Sequence, residues 1–421
     1  MRFSHLAILG AGLALLPPPT QAGAQTLDQV TEAALRHSPA IAAAQARAKA
    51  ADANLDYAKA QRMPDLTAQG QIGTGRIDPK GFFGLQAAGT TPRVGQVDAE
   101  MPLVTFGRIG GGIAQARGGS KAAQLMAQQA RLNLRVEVAQ AYAQAIASKR
   151  LAKSYDLLQL SLTEAVRQSK LKFKAGSATS TDIAQAEARL AEAEAGYASA
   201  NGQLATAMAQ LCTLSGIDVT LDDALPMPPQ VPATRDEAIA LALDANPQLL
   251  AAEQMVEAAR GKERSAKAEH LPMLGAYAQA SSVRDQFFPG YTADSAEIGL
   301  RLKWNFFSSG RTGAQSRAAS SELDAAQADY DEARLRTEQA AITAFDNHQT
   351  AKLVLTAAQA RDKAAREALR GTKLEVEAGA KPQLAQLDAE REAIDAEAAL
   401  ANAQGQLIAS AYRLRAVTGL E

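Results

Sequence analysis

The residues best placed to do chemistry in this 421-residue chain are charged pairs at alternate positions. Asp98 and Glu100 alternate with Val97, Ala99 and Met101, and Arg301 and Lys303 alternate with Leu300 and Leu302. A spacing of two puts each pair on one face of an extended segment, opposite an apolar face. Charges so placed either tune the polar wall of a channel or simply solvate a polar surface, and the pattern alone leaves both readings open. Catalysis needs more than this. The sequence holds no phosphate-cradling glycine loop, no H-x-x-x-H pair and no thiol near a base, and its four histidines are scattered. The single cysteine, Cys212, excludes an internal disulfide framework. It falls in a helical stretch, where a buried small hydrophobe is expected. The chemistry points to no enzyme, no cofactor and no metal centre.

Composition says what must position those charges. The chain is 47% hydrophobic but only 5% aromatic, and its apolar content is largely Ala, with Leu at intervals. Large compact cores lean on aromatic side chains, whereas Ala and Leu suit long, closely packed helices. A net charge of −1 removes any bulk attraction to nucleic acid or anionic lipid. At the N-terminus, Met1-Arg2, an apolar run from Leu6 to Leu16, Pro17-Pro18-Pro19 and Ala22-Gly23-Ala24 read as a signal peptide over 1–24, cleaved before Gln25. No later stretch has the 18 or more apolar residues of a membrane helix. An exported protein without a helical anchor is expected.

The chain is also written twice. Thr26-Leu-Asp-Gln, Ala34-Leu35, Pro39 and Pro64 return 208 residues later as Thr234-Arg-Asp-Glu, Ala242-Leu243, Pro247 and Pro272. Gly107-Arg108, Ala175-Gly176, Ala186-Glu187 and Gly202-Gln203-Leu204 return 203 residues later as Gly310-Arg311, Ala378-Gly379, Ala389-Glu390 and Gly405-Gln406-Leu407. The first repeat is set at 25–214: a helix over 38–62 with Ser38 as cap and Pro39 at its first position, strands 64–75 and 94–104, a long helix 109–174, and a return helix 181–214. The second, 246–421, has a helix 246–270, strands 271–283 and 296–307, a long helix 312–378 and a return helix 383–418. Between them 215–245 reads as a linker, Pro-rich from Pro226 to Pro232.

Each long helix would measure about 100 Å. In each copy the two shorter helices together nearly equal it in length, so they are expected to run end to end beside it. Ile183, Leu190, Tyr197, Leu204 and Leu211 recur every seven residues, with Ala186, Ala193, Ala200 and Ala207 three positions after. That seam predicts coiled-coil hairpins with close helix approach.

Ten of the nineteen aromatics fall within 64–108 and 271–311, the stretches that hold the strands, among them Phe106, Trp304, Phe306 and Phe307. Segments of about ten residues, apolar on one face, polar on the other and flanked by aromatics, are the signature of outer-membrane strands. Four strands cannot close a barrel, and open edges are forbidden in lipid. Three chains would supply twelve. The fold class expected is mainly α with membrane β: duplicated α-hairpins forming a coiled-coil α-barrel, plus four strands per chain in a trimeric 12-stranded barrel.

These residues resemble the TolC-like outer-membrane efflux family. The resemblance rests on the duplication, on Leu27…Ala34-Leu35…Pro39, on Pro102-Leu103…Gly107-Arg108 and on Phe173…Gly176…Asp182, and spans 26–421. It implies a homotrimeric duct through the outer membrane and periplasm of a Gram-negative bacterium, joined to an inner-membrane pump by a periplasmic adaptor. It makes Phe173, Ala175, Gly176, Asp182, Ala378 and Gly379 adaptor-contacting tips, with Asp182 equally suited to begin a helix. At the entrance, where the family can carry two aspartates, this chain has Ala385 and Asp388. Lys381 matches a basic residue beside them, and Val376 replaces a tip aromatic. Asp98, Glu100, Arg301 and Lys303 would face the barrel lumen. Phe106, Trp304, Phe306 and Phe307 would form the aromatic belt. Small-molecule or metal efflux and one-step protein secretion stay open as cargo classes. A periplasmic adaptor or a structural coiled coil is the competing class, disfavoured by two hairpins and four strands.

Overall fold

The computed structural model describes residues 24–78, 86–222 and 225–420; the expected signal peptide lies outside them, save Ala24. The chain forms two compact units. One holds the chain up to Ala34 with Ala141–Pro226 and Arg361–Gly405, and the other holds Leu35–Gln140, Met227–Ala360 and the chain from Gln406.

The duplication is visible in the elements. Helices α1 (Leu27–His37) and α2 (Pro39–Ala60) return as α5 (Arg235–Ala245) and α6 (Pro247–Ala268), identical in length. The 67-residue α3 (Arg108–Lys174) returns as α7 (Arg311–Glu377), also of 67 residues. Return helix α4 (Ser180–Ser215) matches α8 (Gln383–Val417). Strands β1 (Asp65–Ile72), β2 (Gly75–Ile77), β3 (Ala88–Thr90) and β4 (Arg93–Val104) belong to the first copy, and β5 (Met273–Arg284) and β6 (Thr292–Lys303) to the second.

Several elements differ from the expectation, among them the short strands β2 and β3, which it lacks. Helix α1 is an addition to it, and α5 occupies the end of the segment 215–245 read as a linker; the described residues before it, 216–222 and 225–234, lie outside helix and strand apart from an isolated bridge at Leu221. Both helices are 11 residues long and begin at a threonine cap written in the repeated motif itself, a reciprocal capping box at α1 and a one-residue variant of it at α5. Thr26 and Gln29 exchange hydrogen bonds of 3.0 and 3.4 Å. At Thr234 the hydroxyl accepts from Glu237 N at 3.2 Å, and the Glu237 carboxylate accepts from Ala233 N at 2.8 Å. Strand β6 also ends at Lys303, short of the expected 307, because Lys303 pairs with Met273 and the next position across is Pro272, which has no N–H to give.

In the second unit α2 packs against the start of α3 through Leu55, Ala58, Ile109, Ile113 and Ala116. Helix α6 approaches α3 so closely that a Cβ on Gly261 would stand 2.4 Å from Gln115 N and 2.7 Å from Gly111 O. Only glycine fits there.

In the first unit the end of α3, α4 and α8 share a core of Leu158, Leu162, Ala165, Ala193 and Leu387. The seam expected along α4 is present: Ala186, Ala193, Ala200 and Ala207 are all 4% exposed or less and Leu211 is fully buried, while Leu190 and Tyr197 are half-buried. Small residues fill the seam because they let helix axes close up. An ion pair is duplicated with the helices: Lys170–Glu187 at 2.8 Å returns, 203 residues on, as Lys373–Glu390 at 3.3 Å. Cys212 is exposed rather than buried, since it falls off the seam that holds Leu211 and Ala207.

Candidate functional site

Four strands form one antiparallel sheet in the order β1-β4-β5-β6, and β2-β3 form a separate ribbon. Register decides what each face carries. Thr67, Asp98, Gln279 and Glu297 stand in one row, and Asp65, Glu100, Tyr277 and Gly299 in the next. One step nearer the helices, Arg301 pairs with Gly275 across from Pro102. All these residues share one face, which is polar. The other face carries Leu66, Ile72, Val97, Met101, Ile298, Leu300 and Leu302, every one exposed.

Asp98/Glu100 and Arg301/Lys303 therefore share a face but are not brought together. β5 lies between them, and the acids and bases occupy different rows. Among the described residues none of the four forms an ion pair. Asp98 accepts two 2.8 Å hydrogen bonds from Gln96, and Arg301 lies 4.3 Å over the Tyr277 ring. Two acids that the sequence reading leaves out of the site, Asp65 and Glu297, join the same rows. Their strand positions are legible in the sequence, but the register that aligns them is not.

The aromatics named for the belt leave the sheet. Trp304, Phe306 and Phe307 lie in the irregular segment between β6 and α7, and Phe106 lies between β4 and α3. All four are more than half exposed. Trp304 donates its indole N–H to His270 O at 3.1 Å, which fixes the ring at the strand–helix junction. Phe106 takes a positive φ of 48°, followed by Gly107 at 102°, so the chain turns sharply from sheet into α3.

The helix–helix turns repeat their geometry. Gly176 (φ 73°) and Gly379 (φ 75°) close α3 and α7 in the left-handed region, which favours glycine. Gly176 N donates to Phe173 O and Ser177 N to Lys172 O; Gly379 N donates to Val376 O and Ala380 N to Glu375 O. Phe173 and Leu171 on one turn and Leu374 on the other project about half or more of their surface to solvent.

Asp182 is a capping residue. Its carboxylate accepts from Thr179 N at 2.8 Å while Thr179 Oγ1 accepts from Asp182 N at 3.3 Å. The Thr179 N–H, and then the Thr179 hydroxyl donating at 2.9 Å, hold its carboxyl below the usual carboxylate range. Lys381 folds back on Glu375 at 2.7 Å. Asp388 is paired too, with Arg189 at 3.0 Å, in a chain that runs through Glu192 to Arg391.

A sheet with one apolar exposed face, carried on duplicated helices of 67 residues, defines the class: an outer-membrane channel with a helical extension. The chain belongs to the outer membrane efflux protein family, which it matches over residues 30–217 and again over 238–420. It is 26% identical over 407 residues to the outer membrane efflux protein BepC of Brucella suis, covering 94% of this chain and 85% of that one. It is 25% identical over 340 residues to the alkaline protease secretion protein AprF of Pseudomonas aeruginosa, covering 78% and 69%. Among solved structures the outer-membrane channel OprN superposes with a TM-score of 0.79 at 24% identity, covering 94% of this chain and 90% of that one. The expected family, fold class and outer-membrane location stand.

Proposed function

We propose that three copies of this chain, mature from Gln25, assemble into the exit duct of a tripartite efflux system. An inner-membrane pump delivers substrate through a periplasmic adaptor, and the duct conducts it passively. The observation that carries this reading is the sheet's two unpaired edges, β1 and β6, beside an exposed apolar face. Open edges are intolerable in lipid, and twelve strands from three copies remove them with apolar residues outward and the Asp98, Glu100, Arg301 and Lys303 face toward the lumen. Trp304, Phe306, Phe307 and Phe106 then lie at the interface nearest the helices, where amphipathic rings are favoured.

The turns at Phe173–Asp182 and around Gly379 are the surfaces offered to the adaptor, and Asp388 and Lys381 belong to the entrance. In this state both entrance charges are neutralised by partners in the same chain. Protein secretion is the second reading, supported by the likeness to a protein named for alkaline protease secretion.

Native mass measurement of the detergent-extracted protein tests the assembly. A trimer is expected, and a monomer that persists at micromolar concentration would overturn the duct.

A further inference from the structure

Exposed aromatics lie beyond the sheet at both margins, Trp304 and Phe306 near the helices and Phe287 and Phe288 in the β5–β6 turn, and what differs is the last row of the apolar face itself. At the loop end that face ends on the row Ile72, Arg93, Arg284 and Thr292, aligned across all four strands. Two arginines thus stand in register on the face that also holds Val97, Ile298 and Leu300. Like charges directly opposite one another repel. One carboxylate answers them: Asp294 takes the Arg284 guanidinium in a fork at 2.8 and 3.2 Å, and Val283 O accepts from the same group at 2.9 Å. Arg93 is exposed and has no ion-pair or hydrogen-bonding partner among the described residues.

Height along the strand says what meets this row. From Leu274 to Arg284 is ten steps, about 34 Å along the strand at 3.4 Å each, or about 26 Å across a bilayer at a strand tilt near 40°. An outer-membrane apolar band is about 25 Å tall. With Leu274 at one boundary of the hydrocarbon, Arg93 therefore lies at headgroup height at the other. There its uncompensated charge, one per chain, needs an anion. Among the described residues of the four strands, none on this face at the opposite margin is basic.

We infer that Arg93 binds the phosphate of an anionic lipid headgroup in the leaflet at the loop end of the sheet. The inference rests on the apolar face being the lipid face. It assigns that leaflet a lipid class and gives the chain a chemical means of distinguishing the two leaflets.

The test uses the purified full-length protein in a neutral detergent, titrated separately with phosphatidic acid and phosphatidylcholine, with bound lipid counted by native mass spectrometry. Phosphatidic acid is expected to be retained preferentially. Arg93→Gln should lose about fivefold in its retention, the effect of one basic side chain at an anionic surface. Arg93→Lys should keep most of it. Asp294→Asn, which frees Arg284, should move the opposite way and bind more. Excess inorganic phosphate should not displace the lipid. Equal retention of the two lipids, parental binding by both the Arg93→Gln and the Asp294→Asn proteins, or displacement by inorganic phosphate would each overturn the proposal. Retention of no lipid of either kind would instead contradict the lipid-facing assignment of the sheet.

Discussion

Arg189 on α4 holds Asp388 on α8, its Nη2 lying 3.0 Å from the carboxylate. The pair is half exposed, so its own contribution to stability is at most about 1 kcal/mol. Its larger consequence is electrostatic. Asp388 is the carboxylate proposed for the entrance, and in this conformation its charge is answered within the chain.

Arg189→Gln is therefore expected to make the entrance more attractive to cations. Divalent block measured from the periplasmic side in a planar bilayer should tighten. Adding Asp388→Ala to the same chain should abolish the gain. Equal block in all three proteins would remove Asp388 from the entrance.

Gly261→Ala should be among the most damaging single-carbon changes in the molecule. The new methyl carbon would meet Gln115 N at 2.4 Å and Gly111 O at 2.7 Å, and both are backbone, which cannot swing aside. Overpacking of this kind costs about 1–3 kcal/mol, seen as a lowered thermal midpoint. Gly202→Ala is the control, since nothing lies within 4 Å of the position its methyl would take. It should stabilise by up to about 1 kcal/mol.

His348 gives the helical region a pH dependence. Its ring is 2% exposed, and its Nδ1 lies 3.0 Å from Ser410 Oγ, whose own proton goes to Leu407 O. Burial, with Lys352 nearby, holds the imidazole below its ordinary value of 6.5. The unfolded chain thus takes up a proton near 6.5 while the folded one does not. Stability is full above 6.5 and falls as pH drops toward the folded value. His348→Gln should flatten that limb of a denaturation-versus-pH curve, and an unchanged slope would locate the effect elsewhere.

The acidic rows of the sheet predict ion preference. With Asp98 and Glu297 in one row and Glu100 and Asp65 in the next, the polar face is more acidic than basic between its midpoint and Arg301. Asp98→Asn combined with Glu297→Gln should shift the reversal potential in a salt gradient away from cation preference. No shift would show that these carboxylates are merely solvated.

Much of this architecture is legible in the sequence, and the reasons are particular. Periodicity carries the helices because a seam such as Ala186, Ala193, Ala200 and Ala207 persists over many turns. Pro39, Pro247, Gly176 and Gly379 mark helix ends through backbone restriction alone. Register is not legible, since the row joining Asp98 to Glu297 depends on pairing with β5. The Trp304 segment looks like strand because its alternation continues past Lys303, but Pro272 removes the partner. The ion pairs of Asp388 and Lys381 are hidden for a similar reason: Arg189 lies about two hundred residues from Asp388, and Glu375 sits across a turn whose geometry sets the approach. Helices α1 and α5 escape the periodicity reading although Thr26-x-x-Gln29 and Thr234-x-x-Glu237 announce them.

A duct must form a conducting pathway. Purified protein added to a planar bilayer tests it most directly. Discrete conductance steps of uniform size are expected, with their ion preference altered by Asp98→Asn/Glu297→Gln. A protein that inserts into the bilayer and leaves its conductance at the level of bare lipid would contradict the account.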